Sequence, residues 1–295
     1  MADASVVVAA YQAGRTIGQT LQSLLAARPQ GVEVQLLVVD DGSTDDTASV
    51  AEAQGVTVIR RDHAGRAAAL NAGIAAATAN VVLFTDADCL VPENWIGATL
   101  AVLRNRDGVG GNLRPSRFTA VELAKVLRYV EEFETDIELR PPYDGVCLNG
   151  NNMAIRKQAL DAVGGFDEGY IHGADADLTR RLLDAGFNLL RTTRTHTVHL
   201  KVDTLGSFLR TMFKRGSTIR FTLNKETPGT LARALLLSPL KWLAVDFSRV
   251  RRLRVFGTKV RTGLAWLAPW INLLGGWANG IGRIVYYRRF RRENP

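Results

Sequence analysis

The chain has 295 residues, 46% of them hydrophobic and 22% charged, with two cysteines, Cys89 and Cys147. This composition supports a packed core and excludes a low-complexity chain or a disulfide-stapled one, and so few cysteines fit a reducing compartment. The net charge of +8 conceals a division: residues 1–200 carry 18 Lys and Arg against 25 Asp and Glu, whereas residues 201–295 carry 19 against 4.

In chain order, Ser5 to Ala10 reads as a strand, followed by Tyr11 and then by helical spacing through Ile17, Leu21, Leu24 and Leu25 up to Pro29. Val34 to Val39 is a second strand that ends abruptly in Asp40-Asp41-Gly42. Ser43 or Thr44 is expected to cap the next helix, with Asp45 and Asp46 in its first turn and Gly55 closing it. Val56 to Ile59 is a third strand, and Arg66 to Ala77 an Ala-rich helix. Val81 to Phe84 is a short apolar strand that runs directly into Asp86-Ala87-Asp88. Such alternation predicts an α/β fold with a largely parallel sheet covered on both faces.

Beyond it, a short strand is expected at 109–111 and an amphipathic helix over 119–139, then a Pro-Pro loop at 140–145. The run Asn149-Gly150-Asn151-Asn152 reads as a turn whose Asn149 and Asn151 amides can also hydrogen-bond a ligand. A helix follows over 175–185, closing at Gly186, and Thr195 to His199 is strand-like. Trp95, in a helical stretch after Pro92, is expected in the core or in the wall of a substrate groove.

The chemistry concentrates at strand ends. Asp40-Asp41 follow the second strand and Asp86-x-Asp88 the fourth, which puts carboxylates on one rim of a parallel sheet, where α/β folds collect ligands. Paired oxygen donors suit a hard divalent cation that shares a phosphate. Each pair also fits a turn or helix cap, and both readings stand at this point. No GxGxxG and no GxxxxGK[ST] occurs, which disfavours a dinucleotide dehydrogenase and a P-loop enzyme. Phosphate must then be held by a metal and by cationic side chains such as Arg66.

The ordered set VVDDGSTDDT (38–47), HAGRAAALNAGI (63–74), FTDAD (84–88), GNNMAIRKQAL (150–160), GGFDE (164–168) and GADADLTRRLLDAG (173–186), with Tyr11 after the first strand, resembles the family-2 glycosyltransferases of GT-A, Rossmann-like fold. The resemblance implies inverting transfer from a nucleotide-diphosphate sugar, with a catalytic domain over 1–220. It implies nucleotide contacts from Ala10, Tyr11, Asp40, Asp41, Arg66, Asp86 and Ala87. It also implies a Mg²⁺ or Mn²⁺ held at Asp88 with His199, and Asp175 as the catalytic base. Where the family has Glu-Asp this chain has Ala174-Asp175, which leaves Ala174 at the acceptor-side position and the acceptor open. Asp177 is the competing base. A sugar-phosphate nucleotidyltransferase and a non-catalytic nucleotide-sugar-binding relative remain the alternatives.

The tail, 221–295, interleaves cations with Leu and Trp, an α-helical extension expected to associate with an anionic membrane surface rather than with nucleic acid. Thr262 to Gly282 is free of charge and long enough to span a bilayer, but Pro269, Asn272, Asn279 and five glycines weigh against insertion. With no basic, apolar leader in MADASVVVAA, the expected location is the cytoplasmic face of the cell membrane, acting on a glycan or lipid-linked acceptor.

Overall fold

The computed structural model describes residues 2–128, 134–170, 172–217 and 266–293, together with isolated positions between 240 and 259. The chain divides into two compact units: Met1–Ser116 with Glu134–Lys201, and Arg117–Phe133 with Val202–Pro295. The boundary expected at residue 220 falls outside the described residues.

The first unit contains, in order, β1 (Ala4–Ala10), α1 (Ile17–Ala26), β2 (Val34–Asp40), α2 (Thr47–Glu52), β3 (Thr57–Arg60), α3 (Arg66–Ala76), β4 (Val81–Asp86), β5 (Cys89–Leu90), α4 (Trp95–Leu103) and β6 (Gly108–Pro115). After α5 (Ala120–Arg128), which belongs to the second unit, it resumes with β7 (Ile137–Leu139), β8 (Met153–Arg156), α6 (Lys157–Val163), α7 (Ala174–Asp184) and β9 (Leu189–His199). Among the described residues these strands form one sheet of nine, in the order β3-β2-β1-β4-β8-β6-β9-β5, with β7 also on β9.

The half that the periodicity foretold, β3-β2-β1-β4, is wholly parallel. β1, β2 and β4 are largely buried apolar runs, which is what a parallel sheet under helices requires, while the edge strand β3 is only partly buried. Two apolar clusters result. Val7, Leu37, Phe84 and Ile155 pack beneath α3 and α7 on one face, and Val6, Val38, Leu83 and Trp95 beneath α1 and α4 on the other. The other half is mixed: β8 runs antiparallel to β4 and β6, while β6 and β9 run parallel.

Three local expectations change. The helix predicted over 119–139 does not reach its predicted end, because Ile137–Leu139 is drawn into an antiparallel pairing with β9. Helix α2 begins at Thr47, not after Ser43, since Asp45 Oδ1 accepts from the Thr47 N–H and holds the preceding residues in a turn. The strand-like segment at 195–199 is the end of an eleven-residue strand, β9.

The second unit contains α5, α8 (Leu205–Ser217), a short hairpin of β10 (Arg254–Val255) and β11 (Thr258–Lys259), and the 26-residue α9 (Ala268–Glu293). α9 packs on α8 and α5. The α8–α9 approach is close at Gly275, where an added Cβ would lie 2.7 Å from the Phe208 ring. Lys125 joins Glu122 and Asp203, tying α5 to the entry of α8.

Candidate functional site

Parallel pairing aligns the carboxyl ends of β1, β2 and β4. Ala10 lies in register with Asp40 and Ala9 with Asp86, so the residues following these strands share one rim. Above the rim opens a pocket of about 840 Å³, within the roughly 300–1,000 Å³ usual for small-molecule sites. Of the residues expected on the nucleotide and metal side, Ala10, Tyr11, Asp41, Arg66, Asp86, Ala87, Asp88 and His199 all line it.

The turn after β1 is fastened to the turn after β2. Gln12, at φ 52°, donates its N–H to Ser43 Oγ, and the Ala13 N–H donates to Thr47 Oγ1. That leaves Tyr11 half-exposed and stacked on His63, with ring centroids 4.2 Å apart and planes 25° from parallel. Asp41, 2% exposed, accepts from the Ala64 and Gly65 N–H groups at 3.1 and 2.8 Å and pairs with Arg61 and with His63. The loop before α3 is thereby wrapped around one carboxylate.

The Asp86-Ala87-Asp88 backbone is fixed from both sides: Thr20 Oγ1 donates to the Ala87 carbonyl, and the Leu200 N–H donates to that of Asp88. Arg66, at the start of α3, donates two hydrogen bonds to Asp86 Oδ1, at 3.0 and 2.6 Å, and one to the Gly150 carbonyl at 2.8 Å. Burial works against its charge, and Asp86 more than offsets this, so its pKa is raised. Gly150 allows this approach, since a Cβ there would lie 3.0 Å from the guanidinium. On the other side of Gly150, its N–H points to Asp175 Oδ2 at 3.4 Å, so Arg66 connects the carboxylate at the end of β4 with the loop that meets the first turn of α7.

β5 pairs Cys89 with His199 and so brings the end of β9 to Asp88. His199 Nε2 is 3.3 Å from Asp88 Oδ2, and its Nδ1 is 2.8 Å from the Lys201 carbonyl. A carbonyl only accepts, so Nδ1 carries the hydrogen, and in the neutral ring Nε2 presents a lone pair towards a carboxylate. A protonated ring donates Nε2–H to Asp88, and a neutral one leaves nitrogen and carboxylate as two lone-pair donors able to share a cation. Burial raises the Asp88 carboxyl pKa, and the His199 contact more than reverses this, leaving it below its ordinary value. Asp86, Asp88 and Cys89 offer donor atoms within 4.8 Å of one another. Burial and the two neighbouring aspartates push the Cys89 thiol far above its ordinary pKa. The carboxylates and the imidazole fit a hard or borderline divalent ion.

Other expected residues lie off the pocket wall. Asp40, 4% exposed, accepts from the Ser43 N–H at 3.2 Å and shapes its own turn. Trp95 is 1% exposed and donates its indole N–H to Asn152 Oδ1 at 2.8 Å, so it is a core residue and not a groove wall. Ala174 packs into the core beneath α7. Asn149 donates to the Gly111 carbonyl and closes a turn by accepting from the Asn152 N–H; Asn151 is half-buried beside Gly150. Asp177 is buried and paired with Arg180 and Arg181 at 3.0 and 2.7 Å, which leaves Asp175 as the carboxylate of this helix turned to the Gly150 loop. Arg15, His63 and Lys201 also line the pocket. His63 reads from sequence as an ordinary loop residue, and only its stacking on Tyr11 brings it to the wall.

A doubly covered α/β sheet with carboxylates on its rim and a pocket above them is the GT-A arrangement. The same fold is present in the mannosyltransferase PcManGT from Pyrobaculum calidifontis, solved with GDP-Man and Mn²⁺, at a TM-score of 0.66 and 19% identity over 96% of this chain and 87% of that one. It recurs in S. aureus TarS 1-349, solved with UDP-GlcNAc, at a TM-score of 0.55 and 15% identity over 98% and 92%. The family model for glycosyl transferase family 2 matches residues 5–164, and the chain belongs to that family. Curated relatives include glycosyltransferase AglE of Haloferax volcanii, 27% identical over 197 residues, or 63% of this chain and 62% of AglE. The pre-mycofactocin glycosyltransferase of Mycobacterium tuberculosis is 30% identical over 167 residues, 53% of this chain and 35% of the relative. The matches thus span less than two thirds of these relatives' own lengths.

Proposed function

We propose that the protein is an inverting glycosyltransferase that moves a sugar from a nucleotide-diphosphate donor to an acceptor hydroxyl. The observation that carries this reading is the meeting of three elements through one arginine: the Asp86–Asp88 rim, the Gly150 loop and the first turn of α7 with Asp175. Tyr11, Asp41 and His63 receive the nucleoside, and Arg15, Arg66 and Lys201 offer positive charge to the diphosphate. Asp86, Asp88 and His199 would hold Mg²⁺ or Mn²⁺, which when bound neutralises charge on the departing nucleoside diphosphate.

Asp175 accepts the proton of the acceptor hydroxyl as that oxygen forms its bond to the anomeric carbon. The bond to the diphosphate oxygen breaks on the opposite face, which inverts the centre with a single base. Asn151, next to Gly150, is the remaining candidate for a donor-sugar contact. The acceptor is a glycan or lipid-linked molecule of cell-surface synthesis, met at an anionic membrane surface through the 221–295 region. The solved relatives' GDP-Man and UDP-GlcNAc support a nucleotide-sugar donor.

The test is to incubate the full chain with Mn²⁺, a panel of nucleotide sugars and a membrane-extract acceptor, and to follow nucleoside diphosphate. Release that depends on acceptor is expected. Pyrophosphate from a nucleoside triphosphate would replace this reading with nucleotidyl transfer, and donor binding without turnover would replace it with a non-catalytic role.

A further inference from the structure

α9 carries large apolar residues on both sides. Inward, Leu273 is buried and Ile271 packs against the apolar residues of α5 and α8, among the small or polar Ala268, Asn272, Gly275, Gly280 and Gly282, and Asn279 donates to the Met212 carbonyl. Asn272 donates to the Ala124 carbonyl at 2.8 Å and to Asp246 at 2.7 Å. Outward, it exposes further large apolar residues. Trp270 is 52% exposed, Leu274 41%, Trp277 37%, Ile281 48% and Val285 50%. Their spacing of three and four residues places them on one stripe, about 22 Å long at 1.5 Å per residue. Trp266 and Leu267 extend it at the amino end, and Phe247 lies 5.9 and 5.7 Å from the Trp266 and Trp270 rings, so these indoles are held outward by packing.

A soluble surface helix pairs a polar outer face with an apolar inner one, and this one keeps its outer face apolar as well. Among the described residues no helix is long and apolar enough to cross a membrane. Its charge setting selects the occupant. The last turns of α9 carry Arg283, Arg288, Arg289, Arg291 and Arg292, and residues 201–295 have 19 Lys and Arg against 4 Asp and Glu. An apolar stripe with indoles, on a helix whose sequence ends in arginines, matches the boundary between acyl chains and anionic headgroups, where indole and guanidinium are both favoured. A second copy of the chain would bring two such arginine clusters to the same site, or force them apart by antiparallel docking against an acidic face that α9 does not supply.

We propose that the Trp270-Leu274-Trp277-Ile281-Val285 face of α9 is a peripheral docking surface for an anionic lipid bilayer. It rests on the membrane part of the reading above but not on the sugar-transfer chemistry. The experiment is sedimentation of the full chain with vesicles of phosphatidylcholine alone or with about a third phosphatidylglycerol, beside Trp270→Glu/Trp277→Glu. The wild-type chain is expected to partition to the anionic vesicles, less to the neutral ones, and the double variant to lose about tenfold or more in partitioning while keeping its circular dichroism and nucleotide affinity. Ile281→Gln, on the same stripe, provides the comparison if the double variant does not fold. Equal binding by folded variant and wild type would overturn the proposal, since the arginines alone would then suffice. So would a wild-type dimer in sedimentation velocity that these substitutions dissolve, because a second copy would then cover the face. Nucleotide binding read on the same samples keeps a failure here separate from a failure of the donor site.

Discussion

The two units place their apolar and polar residues in different ways. In the first, Val and Leu fill both faces of the parallel strands, and the polar residues gather on one rim, where Asp41, Asp86 and Asp88 are each held by neighbours. In the second, α9 buries Asn272 and Leu273 and still turns Trp270, Leu274 and Trp277 outward. A sheet buried on both faces has only its ends left for chemistry, whereas a helix with an exposed apolar stripe offers a surface. This contrast underlies the proposal that the reaction belongs to the first unit and membrane contact to the second.

That contrast can be broken in order of expected effect. Asp175→Asn removes the proton acceptor and keeps the shape. Transfer is expected to fall by about a thousandfold with nucleotide affinity changed by less than about twofold. Retained transfer in a steady-state assay would move the base elsewhere. Next in size is Trp95→Ala, which empties a fully buried site and strands Asn152 Oδ1; about 3–5 kcal/mol of stability should be lost, read by urea denaturation. Unchanged stability with a raised acceptor KM would return Trp95 to the groove wall. Asp177→Asn should cost about 2 kcal/mol through weakened contacts with Arg180 and Arg181, with turnover of the folded protein unchanged; a lost rate would make it the base. The smallest effect is expected for Tyr11→Ala, where loss of a stacking face above His63 should weaken nucleotide binding by about three- to tenfold, measured by calorimetry.

Sequence made much of the first unit legible because its signals are local. Val-rich runs ending in aspartate announce parallel strands and their rim, and β1, β2 and β4 lie within a residue or two of where they were expected. The mixed half of the sheet depends on pairings across long separations. Nothing local in Ile137–Leu139 distinguishes a strand from the end of a helix; its partner on β9 does. His199 was legible as a ligand only by resemblance, and the pairing of Cys89 with it is what brings it to Asp88. His63, Arg15 and Lys201 were missed because loop residues have no period and reach the pocket through tertiary contacts. Asp40 and Trp95 show the converse: a polar or aromatic residue beside a site motif can be spent on the turn or the core that supports it. In α9 the outward stripe was legible as composition, while the direction it faces was not.

The central claim is that the Asp86–Asp88 pair at the end of β4 holds the nucleotide diphosphate with a divalent ion. Calorimetric titration of UDP and GDP into the full chain, with Mn²⁺ and after chelation, tests it most directly. Binding that requires Mn²⁺ and weakens by about a hundredfold in Asp88→Ala is the predicted result. Equal affinity without metal, or in the variant, would contradict it.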